Sequence, residues 1–171
     1  GAEQGAVDGD AQSTVSACLF ALAGVGAVYL LYVRPRVIVF DEGVTIVNPI
    51  VSITLGWQDV DVVDTRYAFS VQHEGKLIHA VAAPAPGRHH ARTVHPTELK
   101  GITVPSVESL RPGDSPRSHS GVVAHLARTR LNAFQSGGIA GATKQVKLNR
   151  LGVALLAASL TLGLLLQLVH L

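Results

Sequence analysis

The chain has almost no sulfur chemistry to offer. It holds no methionine and one cysteine, Cys18, in 171 residues. An internal disulfide is excluded, and so is a haem ligated by methionine. Charge is scarce too. Asp, Glu, Lys and Arg make up 15% of the residues, against roughly 25% in an average soluble domain. No basic residue precedes Arg34. The first thirteen positions hold Glu3, Asp8 and Asp10, and all 14 Lys+Arg lie between Arg34 and Arg150. A secretory signal peptide opens on basic residues and has a shorter apolar core, so this start does not fit one. Val15-Ser16-Ala17-Cys18 has the look of a lipoprotein cleavage box, but the apolar run follows the cysteine instead of preceding it. Cys18 is therefore expected as a small thiol buried at a helix interface. A net charge of only +2 gives no basic footprint for nucleic acid.

What is abundant is apolar sequence, 47% of the chain, concentrated near its two ends. Thr14 to Val33, TVSACLFALAGVGAVYLLYV, carries no charge. Its length matches the ~20 residues needed to cross a ~30 Å hydrocarbon core. Tyr29 and Tyr32 close the run, where amphipathic rings favour the headgroup level, and Arg34-Pro35-Arg36 stops it. Leu151 to Val169, LGVALLAASLTLGLLLQLV, is a second run of that kind, preceded by Lys144, Lys147 and Arg150. Ala17, Ala21, Gly24 and Ala27 recur at small-residue spacing in the first run, and Ala154 and Ala158 in the second. Such faces let another helix approach closely, which is how helices associate in a bilayer.

The basic flanks Arg34, Arg36, Lys144, Lys147 and Arg150 all face the middle of the chain. Basic flanks stay cytoplasmic. The expected topology is a multi-pass inner-membrane protein with both termini outside and its central region in the cytoplasm. The same five cations would attract anionic lipids at about 1 kcal/mol each.

Between the runs the pattern changes to alternation. Val37 and Val39, Val44 and Ile46, then Val51, Ile53 and Leu55 recur with period two. Asp41-Glu42-Gly43, Asn48-Pro49 and Glu74-Gly75 supply turns. A longer strand is expected over Val62 to Gln72 and a last one over Lys76 to Ala82, giving a five-stranded antiparallel meander. Its inner face would hold Val39, Ile46, Ile53, Trp57, Val63, Phe69 and Ile78. A Pro-rich linker follows over about 84–117, with a short strand over 102–104. A helix over about 118–134 would bury Val122, Val123, Leu126, Leu131 and Phe134 and keep Arg128 and Arg130 wet. The organisation expected is a tail (1–13), a first span (14–33), a cytoplasmic domain with its linker and helix (34–134), a basic linker (135–150) that is flexible over Gln135 to Thr143, and a second span (151–169).

Arg36-Val37, Asp41-Glu42-Gly43-Val44, Val47-Asn48-Pro49, Trp57-Gln58-Asp59-Val60 and the ending Ala82-Ala83-Pro84-Ala85-Pro86-Gly87-Arg88 resemble the bacterial pleckstrin-homology-like (PH-like) domain of small actinobacterial membrane proteins. The resemblance covers about a third of the chain. It implies a bent antiparallel β domain closed by a C-terminal helix, here flanked by two transmembrane helices. It implies no enzymatic activity and no cofactor. By analogy with such proteins, the partners would be subunits of a larger membrane complex, such as the actinobacterial cytochrome bcc–aa3 respiratory supercomplex. In eukaryotic domains of this fold, Lys and Arg of the first β-turn cradle inositol phosphates; here that turn, Asp41-Glu42-Gly43, is acidic.

Candidate chemistry is thin. His89, His90 and His95 cluster in the Pro-rich stretch without a cysteine beside them. Zinc asks for three or four organised ligands with a second shell, so a solvated loop is the expected reading. Asp59, Asp61 and Asp64 with Arg66 read as a charged sheet edge that discourages aggregation. No phosphate loop, zinc-protease helix or serine nucleophile elbow occurs.

Overall fold

The computed structural model describes residues 2–86, 112–115, 118–137 and 140–169. The His89, His90 and His95 cluster and the strand expected over 102–104 lie outside them. The chain divides into two compact units, Gly1–Arg34 with Leu148–Leu171, and Pro35–Lys147.

The first unit is a pair of helices. Helix α1 spans Ala2–Val28 and runs on through a π-helical turn, Tyr29–Val33; α3 spans Arg150–Leu168. Ala11–Val33 and Arg150–Leu168 are 23 and 19 residues long and apolar enough to cross a membrane, about 34 and 28 Å of helix. The two pack antiparallel. Ser16 donates its hydroxyl to the Gly163 carbonyl at 3.0 Å, Gln12 donates to the Leu166 carbonyl, and Gly26 lies beside Leu156. The buried stripe is narrow: Ser16, Ala23 and Leu30 on α1, Ser159 and Gly163 on α3. Elsewhere Leu22, Val25, Val28, Leu155, Leu162, Leu164 and Leu165 stand exposed. A helix apolar around its whole circumference belongs in a protein core or a bilayer. Cys18 is exposed rather than buried, because the mating face of α1 runs through Ser16 and Ala23.

The second unit is a β domain with one long helix. Strands β1 (Arg36–Phe40), β2 (Gly43–Val47), β3 (Val51–Gly56) and β7 (Gln145–Leu148) form a four-stranded sheet in that order. Strands β4 (Val62–Asp64), β5 (Ala68–His73) and β6 (Lys76–Pro84) form a three-stranded sheet. The β1–β2, β2–β3, β4–β5 and β5–β6 pairings are antiparallel and align the apolar parity: Val37 opposes Ile46, Ile46 opposes Ile53, and Val63 opposes Val71, which opposes Ile78. All seven residues expected on the inner face belong to the core: Ile46, Trp57, Val63 and Phe69 are buried, and Val39, Ile53 and Ile78 pack against them. The Trp57 indole donates to the Phe40 carbonyl at 3.1 Å. The β5–β6 hairpin turns at Glu74 and Gly75, both with positive φ, the two-residue geometry whose twist matches its strands.

Several expectations are corrected. The single strand over Val62 to Gln72 is two, folded on each other. The Asp64 carboxylate accepts from the Thr65 and Arg66 amides at 2.8 and 3.2 Å, an aspartate turn that takes those amides away from a ladder. Among the described residues there are seven strands in two sheets, because β7 arises within the stretch read as a basic linker. That stretch is also tied down: the Ala142 amide donates to the Glu42 carbonyl at 2.9 Å, and the Gln58 amide group donates to the Ala142 carbonyl at 2.8 Å. Where β6 changes register against β5, Asn48 fills the ladder, donating to the His79 carbonyl at 2.8 Å and accepting from the Val81 amide at 3.0 Å.

Helix α2 spans His119–Gly137. The Ser118 hydroxyl before it accepts from the Gly121 amide at 2.9 Å, which caps its N-terminus. Its buried face is rotated from the expected stripe. Ser120, Gly121, Ala124 and Ala127 face the sheets, while Val122 and Leu126 are exposed. Small side chains are what let a helix axis come close to a sheet. Val123, Leu131 and Phe134 pack on the core as expected. Arg128 is not on the wet side; it is drawn in by Asp114.

Candidate functional site

The β1–β2 turn is where a PH-like domain would meet a phosphate. One of its acids and one of its backbone carbonyls are already committed. Asp41 is ion-paired with Arg130 of α2, and the Glu42 carbonyl accepts from the Trp57 amide as well as from Ala142. The turn is acidic, tied to α2 at one residue and to the 140s segment at the next. The cation beside this turn, Arg130, already faces the Asp41 carboxylate, which leaves it little attraction to spare for an anionic headgroup.

Two other polar constellations look chemical and are structural. Ser70 donates to the Ala68 carbonyl at 3.0 Å, which leaves its oxygen to accept from His79 Nδ1 at 2.7 Å. With the hydroxyl proton on the Ala68 carbonyl, the imidazole N–H donates the hydrogen bond, the reverse of a base activating a nucleophile. Beneath α2, the Asp114 carboxylate accepts from Thr65 Oγ1 at 2.8 Å and from Arg128 Nη1 at 3.0 Å. Arg128 also donates to the Val63 carbonyl at 3.3 Å. Gly113 fits only because it has no Cβ; one would strike the Thr65 carbonyl. The network fastens α2 to the β4–β5 hairpin. Among the described residues no group of three or more His, Cys, Asp or Glu is placed to hold a metal ion.

Lys144 is engaged on the domain surface. His73 Nδ1 donates to the Asp59 carbonyl at 2.7 Å, so Nε2 is the acceptor for the Lys144 ammonium at 2.8 Å. Glu74 lies 4.0 Å from the same ammonium. Sequence reasoning missed this contact, because it joins residues 71 positions apart.

The five basic residues expected at a membrane surface divide between the two units. Arg34, following the π-turn of α1, and Arg150, opening α3, stand at the same end of the antiparallel helix pair. Arg36 begins β1 and Lys147 lies in β7, which are opposite edges of the four-stranded sheet, three strand spacings or roughly 14 Å apart. Within the domain they form no single cluster.

The small residues expected to pack helices have a definite place. Ala17, Ala21, Gly24, Ala154 and Ala158 are all exposed, and Ala27 is half-buried. The α1–α3 pairing uses Ser16, Ala23, Ser159 and Gly163 instead. The small-residue faces look outward from the pair.

No curated protein and no solved structure gives a match. Residues 34–111 match the family model described as Bacterial PH domain. The match takes in β1 to β6 and leaves out both apolar helices. Such domains are generally non-catalytic modules that bind lipids or proteins, and the β unit between the two apolar helices is a PH-like domain.

Proposed function

We propose that this chain is a membrane-anchored, non-catalytic PH-like module serving as an accessory or scaffold subunit of a larger bacterial membrane complex. One observation carries the reading. The faces with Ala17, Ala21 and Gly24 on α1, and Ala154 and Ala158 on α3, are left uncovered after the two helices have paired. In a bilayer no hydrophobic force drives helices together, so close approach over small residues is what a further helix uses. The domain supports a protein partner over a headgroup, since its β1–β2 turn is acidic and tied to Arg130. The class of partner is a multi-subunit assembly whose membrane helices accept this pair, the cytochrome bcc–aa3 supercomplex being one instance.

A second reading is a free-standing anchor that senses anionic lipid. It is favoured by the two arginines, Arg34 and Arg150, at one end of the helix pair, which set a positive charge at the bilayer surface.

The proposed orientation puts the PH-like domain in the cytoplasm, following the basic flanks. A reporter fused after Gly137, past the end of α2, should be active as a cytoplasmic fusion and silent as a periplasmic one. Periplasmic activity would reverse the topology and move the partner surface to the other side of the membrane. Recovery of the tagged chain with a membrane complex tests the partnership itself.

A further inference from the structure

A groove of about 550 Å³ runs along the helix pair beside the second half of α1 and the first turns of α3. That volume falls in the range of about 300–1,000 Å³ typical of ligand sites. Leu22, Val25, Leu155 and Leu156 make its length apolar, and Gly26 keeps it open. A Cβ at Gly26 would approach only Leu156, at 3.8 Å. The polar end is different in kind: there Arg34 and Asn149 line it.

Arg34 reaches the groove because of the backbone. In an α-helix, positions five apart are roughly 140° apart around the axis. Tyr29 and Arg34 would then point to different sides. The last turn of α1 is instead π-helical, with the Arg34 amide donating to the Tyr29 carbonyl at 2.8 Å. The wider turn reduces that offset, and both residues line the groove. π-turns of this kind occur at helix C-termini. Here it sets a guanidinium over the mouth of an apolar slot.

We propose that the groove binds one molecule of an anionic phospholipid, with an acyl chain along Leu22, Gly26 and Leu156 and the headgroup phosphate on Arg34. The inference rests on the membrane-anchored reading and goes beyond it by giving that anchor a lipid site distinct from the PH-like domain. The slot and a phospholipid are amphipathic in the same sense and over the same depth. Arg34 directly follows the last apolar residue of the span, Val33, and so lies at headgroup level. A guanidinium offers a phosphate two parallel N–H donors, which an ammonium cannot. A second copy of the helix fits less well, since it would carry apolar surface over Arg34 and strip water from a charge.

The test uses the full chain in mild detergent with equal mole fractions of phosphatidylglycerol and phosphatidylcholine, read by native mass spectrometry. One phosphatidylglycerol should be retained per chain, with a preference over phosphatidylcholine of roughly fivefold. Arg34→Gln should abolish the preference and Arg36→Gln, two residues on, should leave it. Gly26→Leu should lower retention of both lipids by filling the slot. Equal retention of the two lipids by the native chain would overturn the site. So would an equal loss in the Arg34 and Arg36 variants, which means diffuse attraction, or a lipid-free dimer, which means a second copy in the groove. Alkaline carbonate extraction separates the two levels of failure. A chain released from membranes loses both the anchor and the site, whereas one that stays and shows no preference loses the site alone.

Discussion

Arg128→Ala is expected to lower the stability of the PH-like domain by about 3–5 kcal/mol, the loss seen when one partner of a buried ion pair is removed. The pair is well covered, with side-chain exposures of 16% for Arg128 and 8% for Asp114. Without the guanidinium, the Asp114 carboxylate keeps the hydroxyl of Thr65 but loses the ion pair with Arg128. The Val63 carbonyl loses a donor as well. For a domain near 100 residues this is a fall in Tm of roughly 12 °C or more. Thermal unfolding of the full chain in detergent reads it, with Trp57, the only tryptophan, as a buried fluorescent reporter. Replacing both partners, Asp114→Leu with Arg128→Met, should recover most of the loss, since a well-packed apolar pair often equals a buried ionic one. A change below about 1 kcal/mol for Arg128→Ala would mean a solvated pair, and α2 would then be held by its apolar face alone.

Phe69→Ala should cost a similar amount, about 3–5 kcal/mol. Phe69 is fully buried on β5 beside Val71. The informative comparison is Tyr67→Ala, which should change stability by less than about 0.5 kcal/mol, because Tyr67 is 76% exposed. In an unbroken strand from Val62 to Gln72, positions 67 and 69 would share one face, and both substitutions would be costly. Urea unfolding followed by Trp57 fluorescence separates the two arrangements. Equal costs at both positions would restore the single long strand.

The contrast shows which part of the fold is written locally. Period-two alternation gives the inward face of every early strand, and Glu74-Gly75 gives a hairpin turn. The break after Asp64 is less legible, because Thr65 and Tyr67 have strand-forming side chains and no Gly or Pro marks it. Only the capacity of Asp64 to bond its following amides signals the turn. Strand β7 is short and flanked by basic residues, and it becomes a strand through β3, a partner distant in sequence. On α2 the larger apolar residues mislead. Val122 and Leu126 look like a core stripe, yet close packing against two sheets selects Ala124 and Ala127. Arg128 carries its charge inward because Asp114 meets it there, which its own helix does not reveal.

The helix pair has the same lesson on a different scale. Length, absence of charge and basic flanks are read from a single run of residues. Which face a helix offers its mate is a property of two runs together. Small residues recur on more than one side of α1, and the side chosen is the one where Ser16 can reach a carbonyl of α3. The faces with Ala21 and Gly24 and with Ala158 are thereby left for something else. The groove was illegible for a related reason: it depends on a π-turn that shifts Arg34, and no residue type in Tyr29–Val33 encodes that turn.

In the proposed role this outward face holds a larger membrane complex. The direct measurement is affinity purification of the tagged chain from its native membrane in mild detergent, native protein beside an Ala21→Leu/Gly24→Leu variant. The native chain should bring down a multi-subunit membrane assembly in stoichiometric amount, and the variant should stay inserted but come away alone. Recovery of the native chain alone, from detergent that preserves other complexes, would contradict it.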